Sequence, residues 1–213
     1  MAKTTAPLLS FAAGGQIAKT QVYSSWKGIP YVRRYATPTN PNTSGQQETR
    51  SVFAWATQVW KLLAADATAP WTAYAKGQPL TNRNAFIRFA VKNLRGMTNL
   101  AGMLMSPGTG GAPPLTSISA GVSSDTITIT PGLPTTPSGW TLTGVAATAI
   151  IDEDPSSSTV YTSVTAVASS SPWHPAPVVG GAGTYRCMAW PIFTNASGET
   201  VYGPSINTTA VVT

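Results

Sequence analysis

His174 is the only histidine in the sequence, and its setting is Ser171-Pro172-Trp173-His174-Pro175. An imidazole that works as a general base needs a partner to hold its tautomer and orientation. Prolines on both sides of this one predict an extended loop instead. Asp152-Glu153-Asp154 is an acidic cluster of the kind that offers Ca²⁺ its oxygen ligands. It lacks the spacing and the glycine of a calcium loop, so a solvated turn is the expected reading. Gly108-Thr109-Gly110-Gly111 is glycine-rich. No Lys-Ser/Thr follows it and no strand feeds it, as a phosphate cradle requires. Cys187 is the single cysteine, which excludes an internal disulfide and a zinc site built on several cysteines. These residues predict no catalytic centre, no cofactor and no metal, hence a protein that is not an enzyme.

A different chemistry is concentrated near the N-terminus. Trp26, Lys27, Tyr31, Arg33, Arg34 and Tyr35 follow Tyr23 in a short stretch that interleaves aromatic rings with cations. Single-strand nucleic-acid binders are built this way. Trp and Arg are equally the favoured anchors of protein interfaces. The low charge of the rest of the chain favours the protein interface over nucleic acid. In a strand, Arg33 and Arg34 point to opposite faces, so at most one of them joins a given patch.

The elements that must hold these residues are legible from pattern. Residues 16–36 read as two strands around Trp26-Lys27-Gly28, rich in β-branched and aromatic residues, with Gly28 supplying the turn. Thr37-Pro38-Thr39-Asn40-Pro41 is an extended break. A helix is predicted over about residues 43–65, with Ser44 and Gln47 as a capping box and Val52, Ala56, Val59, Trp60 and Leu63 as its apolar face. A short helix is expected to start at Pro70 and stop at Gly77. A third runs from about Asn82 to Leu94, burying Phe86, Ala90 and Leu94. From Leu115 onward the pattern is all β, with strand-like runs at 126–130, 141–151, 160–167, 185–193 and 200–212 and a hairpin loop at Asn195-Ala196-Ser197-Gly198.

Between these halves, residues 96–115 read as a linker. Met97–Met105 is apolar, and Ser106-Pro107-Gly108 through Pro114 is rich in Gly and Pro. Met103 and Met105 fit an adaptable arm that packs on a neighbouring subunit; packing under the domain boundary is the alternative. The expected organisation is a basic attachment domain at 1–95, a linker at 96–115 and a β-sandwich at 116–213. Charge follows the same division. Residues 1–96 hold twelve Lys/Arg and two acids, whereas residues 97–213 hold one Arg and five acids. Two surfaces with different partners are implied, the basic one seeking something negative.

Only 9% of the 213 residues are charged, against about 25% in an ordinary soluble protein. Few charges with seven Trp and 42% apolar residues fit a protein covered by neighbours; a Ser/Thr-rich β protein with no special partner is the plainer alternative. The N-terminus has no apolar stretch long enough for a signal peptide, and no segment approaches the roughly 20 apolar residues of a membrane span. Synthesis in a cytoplasm, with no membrane partner, is the expectation.

The string Gly15-Gln16-Ile17-Ala18-Lys19, Ser25 to Arg34, Asn40-Pro41-Asn42-Thr43, Gln47, Arg50, Trp60, Trp71 and Asn84-Ala85-Phe86-Ile87 resembles a family of domains of unknown function encoded in tailed-bacteriophage structural regions and some bacterial genomes. Tyr185, two positions before Cys187, and Gly203-Pro204-Ser205 resemble a fibronectin type III or immunoglobulin-like sandwich, in which Tyr185 would be the corner tyrosine. The resemblance implies a virion structural protein made in the bacterial host cytoplasm; with the pattern read above, the expected class is α+β, a hairpin and about three helices linked to an antiparallel β-sandwich. The expected role is capsid decoration through the basic domain, with other virion proteins as partners and room for a homo-oligomer. A tail or head–tail junction component and a nucleic-acid-binding accessory protein are the alternatives.

Overall fold

Lys27 and Gly28 both take positive φ, +50° and +78°, as the two central residues of a type I′ hairpin turn must. They join β3 (Gln21–Trp26) to β4 (Ile29–Arg34), with Trp26 paired to Ile29 and Gln21 to Arg34. The computed structural model describes residues 2–3, 14–37, 39–155 and 163–213. The expected two-stranded hairpin is there, and two short strands extend it. The predicted first arm folds back on itself at Ala18-Lys19-Thr20, so that β2 (Gly15–Ile17) pairs with β3. β1 (Ala2–Lys3) pairs with β4 through Ala2–Val32 and Lys3–Tyr31. The antiparallel order is β1-β4-β3-β2. This sheet belongs to a compact unit that ends at Asn42, and Thr43–Thr213 form a second.

Three helices open the second unit: α1 (Ser44–Leu62), α2 (Ala65–Ala75) and α3 (Asn82–Leu94). The expected capping box at Ser44 does not form. Thr43 is the N-cap and makes no side-chain bond there, while its carbonyl accepts from Gln46 and Gln47. Thr81 does cap α3, accepting from the Asn84 amide. α2 begins five residues before Pro70, where the start was expected. Ala65-Asp66-Ala67 are good helix formers and Asp66 suits the first turn, so the proline is carried inside the helix.

The strands are β5 (Ser117–Ser123), β6 (Thr126–Gly132), β7 (Trp140–Ile151), β8 (Ser163–Ala168), β9 (Gly183–Asn195), β10 (Thr200–Tyr202) and β11 (Ile206–Val212). β5 and β6 form a hairpin, while β10-β9-β7-β8 form the main sheet, with β11 also on β9. The predicted run at 200–212 breaks at Gly203-Pro204-Ser205. Part of the run predicted at 160–167 lies outside the described residues. The hairpin loop at Asn195–Gly198 is as expected, with the Asn195 side chain accepting from Ser197 and Glu199. The class is α+β with antiparallel sheets.

The main sheet is buried on both faces, and alternation decides what each residue meets. Ala146, Ile150, Met188 and Trp190 join the helix core of Val52, Trp55, Val59, Trp71, Phe86 and Leu94. Val145, Ala147, Ala149, Cys187 and Ala189 face Ile127 and Ile129 of the β5–β6 hairpin instead. Trp71 and Phe86 meet edge to face, 5.4 Å between ring centroids.

That shared core overturns the linker at 96–115. Leu100, Met103 and Met105 are fully buried within it, which retires the arm reading in favour of packing. The segment is also tied by hydrogen bonds. The Met105 and Ser106 amides donate to Ser205 Oγ, and Ser106 Oγ donates to the Gly203 carbonyl at 2.6 Å. Gly203 lies so close to Pro113 and Pro191 that a Cβ would clash. Local Gly/Pro composition suggested freedom, but here it permits close approach. The expected division at 96–115 is therefore replaced by one after Asn42.

Candidate functional site

Residues singled out for chemistry fall in separate places. His174 lies on a strap beside β6, where the Ile129 and Ile127 amides donate to Pro175 and Pro177. Along that strap Pro175, Pro177 and Val179 are buried while His174 and Val178 point to solvent. Cys187 is buried in the sheet, and burial pushes its thiol up to about 12 despite the neighbouring Arg186. A thiol held protonated is a poor nucleophile. Asp152 is not in the solvated turn predicted for it. Its carboxylate pairs with Arg186 at 2.6 Å and accepts from the Leu100 amide at 2.7 Å. Arg186 continues to Asn207, which donates to the Ala101 carbonyl. The acid thus fastens the segment after α3 to the sheet. Among the described residues no group of three His, Cys, Asp or Glu is placed to hold a metal ion.

The N-terminal sheet is the region where predicted site residues come together. Its pairing register sets its two faces. Val22 opposite Arg33, Ser24 opposite Tyr31 and Trp26 opposite Ile29 share one face. Gln21 opposite Arg34, Tyr23 opposite Val32 and Ser25 opposite Pro30 share the other. Arg33 and Arg34 are divided between the faces, as strand alternation requires. Trp26, Tyr31 and Arg33 are united on one. Lys27 stands in the turn with its ammonium 4.9 Å from the centroid of the Trp26 ring, a cation–π contact. Tyr35 follows β4, its amide donating to the Thr20 carbonyl. Met103 and Met105 take no part, being core residues of the second unit.

Exposure marks this sheet more than any single contact does. No described residue from Gly14 to Asn42 is buried, and Trp26 keeps 65% of its surface exposed. Residues 1–42 contain Lys3, Lys19, Lys27, Arg33 and Arg34 and no Asp or Glu. Sequence reasoning missed Val22 and Ile29 as members of the Trp26 face. The signal was available in the period-two alternation counted outward from the two-residue turn.

The chain belongs to DUF6266, a family of unknown function, which matches residues 14–172. The resemblance noted over residues 15–87 lies inside that span. The matched region begins just before β2 and runs through the three helices, the 96–115 segment and β8. No curated protein and no solved structure matches the chain. Among the described residues no helix is long and apolar enough to cross a membrane.

Proposed function

We propose that this chain is a non-enzymatic structural protein of a tailed-phage virion, most specifically a capsid decoration protein that attaches through its N-terminal sheet. One observation carries the reading: a four-stranded sheet in a segment without acids, none of whose residues described from Gly14 on is fully buried, in a chain whose second unit is well packed. An antiparallel sheet becomes independently stable by covering an apolar face, and here a partner's surface would do the covering. Five cations without a compensating acid would steer it to a negative surface. Repetition over a symmetric shell would turn a small contact into lasting attachment.

The β-rich part of the second unit is read as an immunoglobulin-like or fibronectin type III-like sandwich carried on the particle. Two features support this. The Tyr185 hydroxyl donates to the Gly181 carbonyl, four residues upstream, at 2.9 Å, as a corner tyrosine does. The β5–β6 hairpin stacks on one face of the main sheet through Ile127 and Ile129.

Copy number in purified virions, measured by quantitative mass spectrometry, tests the role. Decoration requires on the order of hundreds of copies per particle, set by shell symmetry. About a dozen would move the protein to the head–tail junction or tail. Absence from virions would overturn the structural role.

A further inference from the structure

Resting on that attachment role, we infer that the docking surface is one face of the N-terminal sheet, carrying Val22, Trp26, Ile29, Tyr31 and Arg33, and that it seats on an acidic protein surface with an apolar recess for Trp26.

The register places these five side chains together, with Trp26 and Ile29 at the turn and Arg33 toward the far end. Four residues of strand cover about 13 Å and two strands about 10 Å across. Such a patch is smaller than the roughly 800 Å² per partner of a standard interface. A single contact would be weak, which suits attachment by many copies. Trp and Arg are the side chains that most often dominate an interface, and a largely exposed Trp gains the most from entering a recess.

The opposite face is the poorer candidate. Its aromatic, Tyr23, already donates its hydroxyl to Gln21 at 3.1 Å, and it holds no Trp. Charge then selects the occupant. A second copy of the same face would set Arg33 and the neighbouring Lys27 against like charges, whereas an acidic protein surface neutralises them. Single-stranded nucleic acid would stack bases on exposed rings. Here the Lys27 ammonium already covers one side of the Trp26 ring, and Arg33 and Arg34 are split between faces rather than aligned as a phosphate track.

Two charge-matched double variants of the full chain separate the faces: Trp26→Ser with Arg33→Glu, and Tyr23→Ser with Arg34→Glu. Their binding to virions stripped of the protein, and to a polyglutamate peptide, is compared with that of the unaltered chain. The first variant is expected to lose affinity for both by about 100-fold, and the second by less than about 5-fold, with an unchanged melting temperature of the second unit in each. Equal losses, or a greater loss from the Tyr23 variant, would overturn the assignment of the face. Oligo-dT bound more tightly than polyglutamate, and lost with Trp26→Ser/Arg33→Glu, would overturn the acidic-protein partner in favour of nucleic acid. If the unaltered chain fails to bind virions, the attachment role falls, and the polyglutamate comparison still decides the face.

Discussion

The N-terminal sheet and the main sheet of the second unit use the same backbone geometry to opposite ends. β7 and β9 are buried along most of their length, with Val145–Ile150 and Cys187–Pro191 turned alternately into two cores. β3 and β4 are just as rich in β-branched and aromatic residues, yet none of their residues is buried. Trp71 and Trp26 put the contrast in single side chains: one is fully buried among Phe86, Phe89 and Tyr74, the other is largely exposed beside a lysine. The difference teaches that strand-forming residues alone do not make a core. A core needs a second layer, which the helices and the β5–β6 hairpin supply to β7 and β9.

Hydrogen exchange offers the widest separation. Amides of β7 and β9 should exchange on the order of 10³-fold or more slowly than those of β3 and β4 in the free protein, because local opening of an unburied sheet needs little free energy. Comparable protection in both would break the comparison. Next in size, Trp71→Ala should cost about 3–5 kcal/mol of the second unit's stability, read by urea unfolding. Trp26→Ala should cost no more than about 0.5 kcal/mol by the same measurement; equal costs would mean that Trp26 is a core residue after all.

Ser205→Ala sharpens the account of the 96–115 segment. It leaves the buried amides of Met105 and Ser106 without their acceptor and should destabilise the second unit by about 1–3 kcal/mol. A change near zero would return that segment to a free linker. The smallest effect is one of pH. The Cys187 thiol is raised from its usual 9.0 to about 12 in the folded chain by burial. Its contribution is constant below the unfolded value and is lost as pH rises from about 9 toward 12, because only the unfolded state ionises there. The unfolding midpoint of the unaltered chain should fall between pH 8 and 9.5 more than that of Cys187→Ala. Parallel slopes would show that the thiol is not desolvated. Above pH 10 Tyr185 and Tyr202, both raised by burial, add to the decline.

Much of this was legible without coordinates. The Lys27-Gly28 turn, the positions of α1 and α3, the strands β6, β7 and β9, and the opposite facing of Arg33 and Arg34 all follow from φ preferences and from periods of 3.6 and 2. The acid-free N-terminus could be counted directly. Each of these is a local property, decided by residues within a few positions of one another. The candidate surface was half visible for the same reason: Trp26, Tyr31 and Arg33 were named, while Val22 and Ile29 emerge only once the turn fixes the register.

What only the tertiary structure decided depends on surfaces that arrive from far along the chain. Ser106 finds Gly203 and Ser205 about a hundred residues away, and Leu100 finds Asp152. Those meetings turn a Gly/Pro-rich stretch into a packed strap, and Met103 and Met105 into core. Burial is a property of the partner surface as much as of the residue, and closure of a long loop leaves no trace in local pattern. Hence the sequence by itself determined the elements, their faces and the charge of the N-terminus, while the fold alone decided which of those faces were covered and that Trp26 was left open.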